Sequence, residues 1–141
     1  MTLLVNEIRS DAVYQAIKPN RNRLLGAIRP HLYIKNRPAG TIKVQVTTSD
    51  GTLVAESAAQ TIASITASNE YHGYVTFYIN ASLRKDQTYL VKVVCAGYTF
   101  DEAGYCGVCN DYDLRKYSPV LAIAHPRLAP LDLEIWSISQ K

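Results

Sequence analysis

From Thr41 to Tyr98 apolar and polar residues alternate in short runs, with a period of two rather than the helical value of about 3.6. Thr41-Ile-Lys-Val-Gln-Val-Thr-Thr48 places Ile42, Val44 and Val46 on one side. Successive side chains of an extended strand point to opposite faces, so this run predicts a strand buried on one face. Ser49-Asp-Gly-Thr52 follows, and then Leu53-Val-Ala-Glu-Ser57. Asp-Gly between two such runs predicts a tight hairpin, because glycine accepts the positive φ that the turn requires. Gly73-Tyr-Val-Thr-Phe-Tyr-Ile-Asn80 alternates again, Val75, Phe77 and Ile79 against Tyr74, Thr76 and Tyr78. Thr88-Tyr-Leu-Val-Lys-Val-Val-Cys95 is nearly continuous in apolar residues, which predicts a central strand buried on both faces.

The flanking segments follow the same pattern. Met1 to Ile8 is apolar without a clear period and reads, within residues 1–11, as an N-terminal arm or an edge strand. Ala12 to Pro19 predicts a first strand of the domain. Leu24 to Asn36 predicts a second, with Ile28, Leu32 and Ile34 facing in and Arg29, His31, Tyr33 and Lys35 facing out. Pro30 within it argues for an edge or a bulge, since proline cannot donate to the ladder. Arg37 to Gly40 is a turn. Ala58 to Ser68 is rich in Ala and Ser, but Thr61, Ile62, Ile65 and Thr66 are β-branched, so a short turn or loop is expected rather than a long helix. Gly97 to Tyr117 predicts a long irregular loop. Val120 to Ala124 and Leu131 to Ile138 resume strand character. About eight short strands separated by turns predict an all-β, single-domain sandwich or barrel over residues 12–141.

A chain of 141 residues is one domain's worth and buries roughly two-thirds of its unfolded surface, enough for a core without metal or disulfide support. Ten tyrosines stand against two phenylalanines and one tryptophan. That balance suits half-buried sheet faces and protein contacts, where the ring packs and the hydroxyl stays wet. The net charge of +3 is too mild for the dense basic stripe of a nucleic-acid binder. Its distribution is uneven: Arg9, Lys18, Arg21, Arg23, Arg29, Lys35, Arg37 and Lys43 lie in the first third of the chain, opposed there by Glu7 and Asp11 alone. This is first a solvated face or edge, then a docking surface for an acidic partner, and last a direct nucleic-acid contact. Thr2-Leu-Leu-Val is too short for a signal peptide, and no run has the length of a membrane span. The expectation is a protein made in a cytoplasm and not secreted, with no membrane association. Three cysteines, an odd number, are a poor disulfide framework.

The order of motifs is more specific than any one of them. Tyr14-Gln-Ala-Ile-Lys-Pro19 comes first, then Arg23-Leu-Leu-Gly-Ala-Ile-Arg-Pro-His-Leu-Tyr-Ile-Lys35, then Arg37-Pro-Ala-Gly-Thr-Ile-Lys-Val-Gln-Val46. Ser49 to Ser57, Gly73 to Ile79 and Asp86-Gln-Thr-Tyr-Leu-Val-Lys-Val93 complete the series. The series resembles the jelly-roll β-sandwich domains of bacteriophage virion proteins, of the head decoration (cement) or fibre type. It is also similar in architecture to galactose-binding-like and carbohydrate-binding modules. The resemblance spans roughly residues 12 to 138 and lies in strand types rather than in individual residues. The family often has an aromatic at the position of Ile17, and the segment Gly104 to Asn110 has no counterpart in it.

Candidate chemistry is sparse. Cys106-Gly-Val-Cys109 has the spacing of a redox pair or half a zinc site, but lacks the helix N-terminus that activates redox thiols. Packed thiols, zinc with Cys95 and a histidine, or a disulfide all remain open. Asp101, Glu102, Asp111 and Asp113 offer hard oxygen ligands without calcium-loop spacing. No residue pattern sets a nucleophile beside a base, and no glycine-rich phosphate loop is present. The expectation is therefore a non-enzymatic structural protein without cofactor or metal. The resemblance implies a capsid decoration protein that binds the major capsid protein or other virion proteins as a homo-oligomer in a symmetric assembly. It implies localisation in the virion, with no direct nucleic-acid contact. A tail or fibre adaptor and a glycan-binding module are the alternatives. The expected contact residues are Leu3, Leu4, Val5 and Ile8 of the arm, the basic Arg21, Arg23 and Arg37, and Tyr74, Tyr78, Tyr105 and Tyr112.

Overall fold

The computed structural model describes residues 5–9, 13–109, 121–123 and 133–139. The strands in chain order are β1 (Val5–Glu7), β2 (Val13–Pro19), β3 (Arg23–Lys35), β4 (Thr41–Thr48), β5 (Leu53–Glu56) and β6 (Gln60–Thr61). A four-residue helix, α1 (Ile62–Ile65), precedes β7 (Glu70–Tyr74), β8 (Phe77–Leu83), β9 (Tyr89–Ala96), β10 (Tyr105–Cys109), β11 (Leu121–Ile123) and β12 (Leu133–Ser139).

The thirteen residues of β3 organise the first sheet. Leu25, Ile28, Leu32 and Ile34 are buried, while Arg29, His31, Tyr33 and Lys35 between them are half-buried on the outer face. The C-terminal half of β3 pairs with β7 along one edge and with β10 along the other. The N-terminal half pairs with β8 on the first edge and β12 on the second. All pairings are antiparallel, and β1 adds to the outer edge of β10. Of the two expected settings, an edge or a bulge, Pro30 does not take the edge: it lies in an interior strand, opposite an interruption in the neighbouring ladder. The ladder accommodates it because β7 gives way to β8 opposite this point, where the Val75 amide donates to the Pro30 carbonyl at 3.2 Å.

The second sheet runs β11-β2-β9-β4-β5, with β6 also on β4. Its centre is the β4–β9 pair, in register from Thr41↔Ala96 to Thr48↔Tyr89. β9 is central, as its composition predicts, but it is buried on one face only. Tyr89, Val91 and Val93 turn inward, and Leu90, Lys92 and Val94 form a half-buried outer side, where Lys92 keeps contact with water. Ile42, Val44 and Val46 are fully buried opposite them. Side chains from both sheets form one core cluster, with Ile17, Ile42, Val91 and Val93 of the second sheet against Ile28, Leu32, Ile34 and Phe77 of the first. The protein is an all-β sandwich of two antiparallel sheets, compatible with a jelly roll.

Two segments differ from the sequence reading. There are more strands than eight, because β1 and β6 are very short and the Glu70–Leu83 run is broken in two. The expected Gly97–Tyr117 loop contains β10, so the Cys106-Gly-Val-Cys109 segment is strand. The Ala58–Ser68 region forms the short turn expected. Thr61 caps α1, its hydroxyl accepting the Ser64 amide at 3.2 Å, and Ile62 anchors the turn in the core.

Candidate functional site

The outward positions of β3 are in register with those of its neighbours. His31 lies opposite Tyr74, Tyr33 opposite His72 and Lys35 opposite Glu70 on β7. On the other edge Lys35 pairs with Tyr105 and Tyr33 with Gly107 of β10. Cross-strand partners on one face lie within side-chain reach, so this register assembles a continuous band of rings and charges.

The band runs from the β1 edge across β3 to β8. The Arg9 guanidinium sits 3.9 Å from the centre of the Phe100 ring. Phe100 packs against Tyr105 at 5.5 Å between ring centres, and Tyr105 against Tyr33 at 5.9 Å. Lys35 lies over Tyr105 and donates to the Glu102 carbonyl at 2.9 Å. The Tyr33 hydroxyl donates to Glu70 Oε2 at 3.0 Å. Desolvation, and then the hydrogen bond to the Glu70 carboxylate, push the Tyr33 pKa up, so this phenol stays protonated as a donor. His31 Nε2 and His72 Nδ1 meet at 3.1 Å. The His31 ring stacks on Tyr74 at 4.9 Å and 30°. Arg29 lies over the other end of the band, 5.7 Å from the Tyr74 ring centre, and its Nε donates to Thr76 Oγ1 at 3.0 Å. Tyr78, next on the same side of the β7–β8 edge, is 77% exposed.

Such a face offers ring surfaces for stacking, apolar contact area and hydrogen-bond donors on arginine and tyrosine. Tyrosine, phenylalanine and arginine are the residue types enriched in protein interfaces.

The expected contact residues are distributed differently. Tyr74 and Tyr105 belong to the band and Tyr78 adjoins it. Leu3, Leu4 and Tyr112 lie outside the described residues. Val5 is half-buried in β1, paired with Cys109. Ile8 is 2% exposed in the core, and its amide donates to the Cys106 carbonyl at 2.8 Å. This part of the N-terminal segment takes the edge-strand alternative, laid on β10 of its own domain. Arg23 is 6% exposed, and desolvation, followed by the charge of Arg21, lowers its pKa. Arg23 opens β3 and Arg37 follows its end, so a strand about 40 Å long at the usual rise separates them. They do not form one docking patch. Arg37 instead donates to the Ala67 carbonyl at 3.0 Å. Arg21 is exposed beside a cleft of about 710 Å³ lined by Arg23, Ser82, Arg84 and Lys85.

The cysteines are also resolved by the strand. Residues three apart in β10 point to opposite faces, so Cys106 and Cys109 cannot share a metal or a disulfide. All three cysteines are free, and no group of three or more His, Cys, Asp or Glu side chains gathers among the described residues. Asp101 caps its own turn, its carboxylate accepting the Ala103 amide at 2.8 Å. Asp111 and Asp113 lie outside the described residues.

Sequence reasoning recognised the outward side of β3 from its alternation, but not His31, His72, Tyr33, Lys35 and Arg9 as parts of one surface. Alternation says which way a side chain points, and only the register says which neighbours it meets. Comparison with known proteins finds no matching family model, no matching curated protein and no matching solved structure.

Proposed function

We propose that this chain is a non-enzymatic virion structural protein of a bacteriophage, most specifically a capsid decoration protein bound to the major capsid protein shell. The observation that carries the reading is the aromatic and cationic outer face of the β3 sheet, with the Tyr74–His31 stack and, further along the β8 edge, Tyr78, which is 77% exposed. A face of this composition buries ring area at low conformational cost and supplies arginine hydrogen bonds at its rim. The strand series, which resembles virion jelly-roll domains, supplies the particle. Symmetry then multiplies a modest contact: each copy meets an identical site on the shell, and copies around an axis meet each other. The binding partner is therefore a protein surface, and no chemical step is involved.

The test is co-sedimentation of the purified protein with capsids stripped of their accessory proteins. Saturable, stoichiometric binding is expected, with occupancy falling at least tenfold for the Tyr74→Ala/Tyr78→Ala double variant. Binding confined to tails would move the protein to a tail or fibre adaptor. No binding to any particle, together with glycan-array signals abolished by the same double variant, would replace the reading with a carbohydrate-binding module.

A further inference from the structure

We propose that His31 and His72 form a two-histidine site for a divalent transition-metal ion of the zinc, nickel or copper class. Two imidazole nitrogens on one ion, each at about 2.0–2.1 Å, lie about 2.9 Å apart at a right angle and about 3.4 Å apart at the tetrahedral angle. His31 Nε2 and His72 Nδ1 are 3.1 Å apart, between those limits. The spacing is built into the sheet. His31 is on β3 and His72 on β7, one diagonal step apart in a ladder that continues from His31↔Tyr74 to Lys35↔Glu70. The stack on Tyr74 restrains the His31 ring. Two adjacent strands thus hold the ligands before the ion arrives, which spares much of the ordering cost of binding.

Without an ion, the nitrogen of one ring donates its proton to the other. On metal binding, the donor imidazole moves that proton to its second ring nitrogen, and both rings stay neutral. The rings are tilted by 41° with centres 5.3 Å apart, so small rotations aim both lone pairs at one point. Imidazole selects zinc, nickel and copper over the harder magnesium and calcium. The remaining coordination positions are left for water or for a ligand from a partner, since no third side chain of the ligating kind joins the pair among the described residues. Arg29 and Lys35 place positive charge on the same face and Glu70 negative charge, and Glu70 is engaged by Tyr33. This inference is independent of the particle reading: capsid binding and metal binding fail separately.

The test titrates the purified chain with zinc, nickel and copper chlorides. It follows the histidine ring resonances and the thermal midpoint, with magnesium and calcium as controls. The Cys95→Ser variant serves as background, to remove a half-exposed thiol from competition. A saturable shift of the His31 and His72 resonances and a rise of a few degrees in the midpoint are expected, with neither produced by magnesium or calcium. His31→Gln and His72→Gln should each abolish both effects while keeping the unliganded midpoint near that of the parent. No saturable response at millimolar metal, or a response undiminished in both glutamine variants, would overturn the proposal.

Discussion

The Tyr98 hydroxyl donates to the Ile8 carbonyl at 2.8 Å and accepts the Cys106 amide at 2.9 Å. One phenol therefore ties the end of β1 to β10, beside a core residue that is almost fully buried. Its partners lie far apart in sequence, and this one side chain bonds both. Tyr98→Phe keeps the ring and removes the bonds, leaving a buried carbonyl and amide to lose their partner. A loss of about 1–3 kcal/mol is expected, read as a lower urea midpoint with unchanged slope. Desolvation holds the Tyr98 pKa up at about 12. Between pH 10 and 12 the unfolded chain releases this proton while the folded chain keeps it. The unfolded state then binds fewer protons, so stability falls as pH rises through that window and is unaffected below it. The phenylalanine variant should lack this part of the alkaline decline. Parallel profiles for the two proteins would show that Tyr98 is not buried as described.

Gly107 and Val5 report on the same edge. A Cβ built on Gly107 would lie 2.3 Å from Val5 Cγ1 and 2.8 Å from the Asn6 carbonyl oxygen. β1 approaches β10 this closely only because no side chain stands between them. Gly107→Ala should push β1 off the sheet while leaving the β3–β10 pairing intact. Hydrogen exchange would then show faster exchange of the Val5 to Ile8 amides, with little change in β4 or β9. Unchanged protection of Ile8 would mean that the β1–β10 contact is looser than its register implies.

These two contacts also show where sequence reading stops. The strands with strong alternation, β4, β8 and the second half of β3, are legible because each turns one apolar side to the core. Tyr105-Cys-Gly-Val-Cys109 is not, because a central glycine and two cysteines mask the same inward–outward rhythm. Cys106 and Val108 do face in, opposite Ile34 and Leu32. Pro30 misleads for a related reason. It argues for an edge or a bulge without choosing between them, and an interior strand tolerates it where the neighbouring strand is broken. The His31–His72 meeting is beyond reach from sequence, since a one-residue slip of β7 would send His72 to the other face and bring Tyr71 or Gly73 out instead.

The hairpin is a three-residue turn rather than the two-residue one that Asp-Gly most often makes. The Thr48 amide donates to the Thr52 carbonyl at 2.8 Å, and the Gly51 amide to the Thr48 carbonyl at 3.0 Å. Gly51 alone in the turn has a positive φ, of 96°, and a Cβ there would meet nothing within 4 Å. Gly51→Ala therefore isolates the conformational cost, expected at about 1 kcal/mol in urea unfolding. A neutral result would place the cost in the flanking strands. Asp50 accepts from the Thr48 hydroxyl and from the Thr52 amide, and these bonds hold its pKa below the usual carboxylate value. The stabilisation is present above the unfolded carboxylate pKa and disappears as pH falls through the lower folded one. Asp50→Ala should flatten that acid limb without altering the profile at neutral pH.

Cysteine reactivity separates the two sheets by a direct chemical readout. The thiolate is the species that attacks an alkylating reagent, so access and pKa together set the labelling rate. Cys106 is fully buried, and its hydrogen bond with the Cys95 thiol, followed by desolvation, pushes its pKa far up. Cys109 is also fully buried, while Cys95 is half-exposed near the end of β9. Iodoacetamide at neutral pH should label Cys95 first in the native protein. Cys106 and Cys109 should label only through opening of β10, at a rate that rises steeply with denaturant. Peptide mapping by mass spectrometry distinguishes the three sites. Native labelling of Cys106 as fast as that of Cys95 would mean that β10 does not pack its inward side chains into the core, and the placement of Tyr105 in the outer band would fall with it.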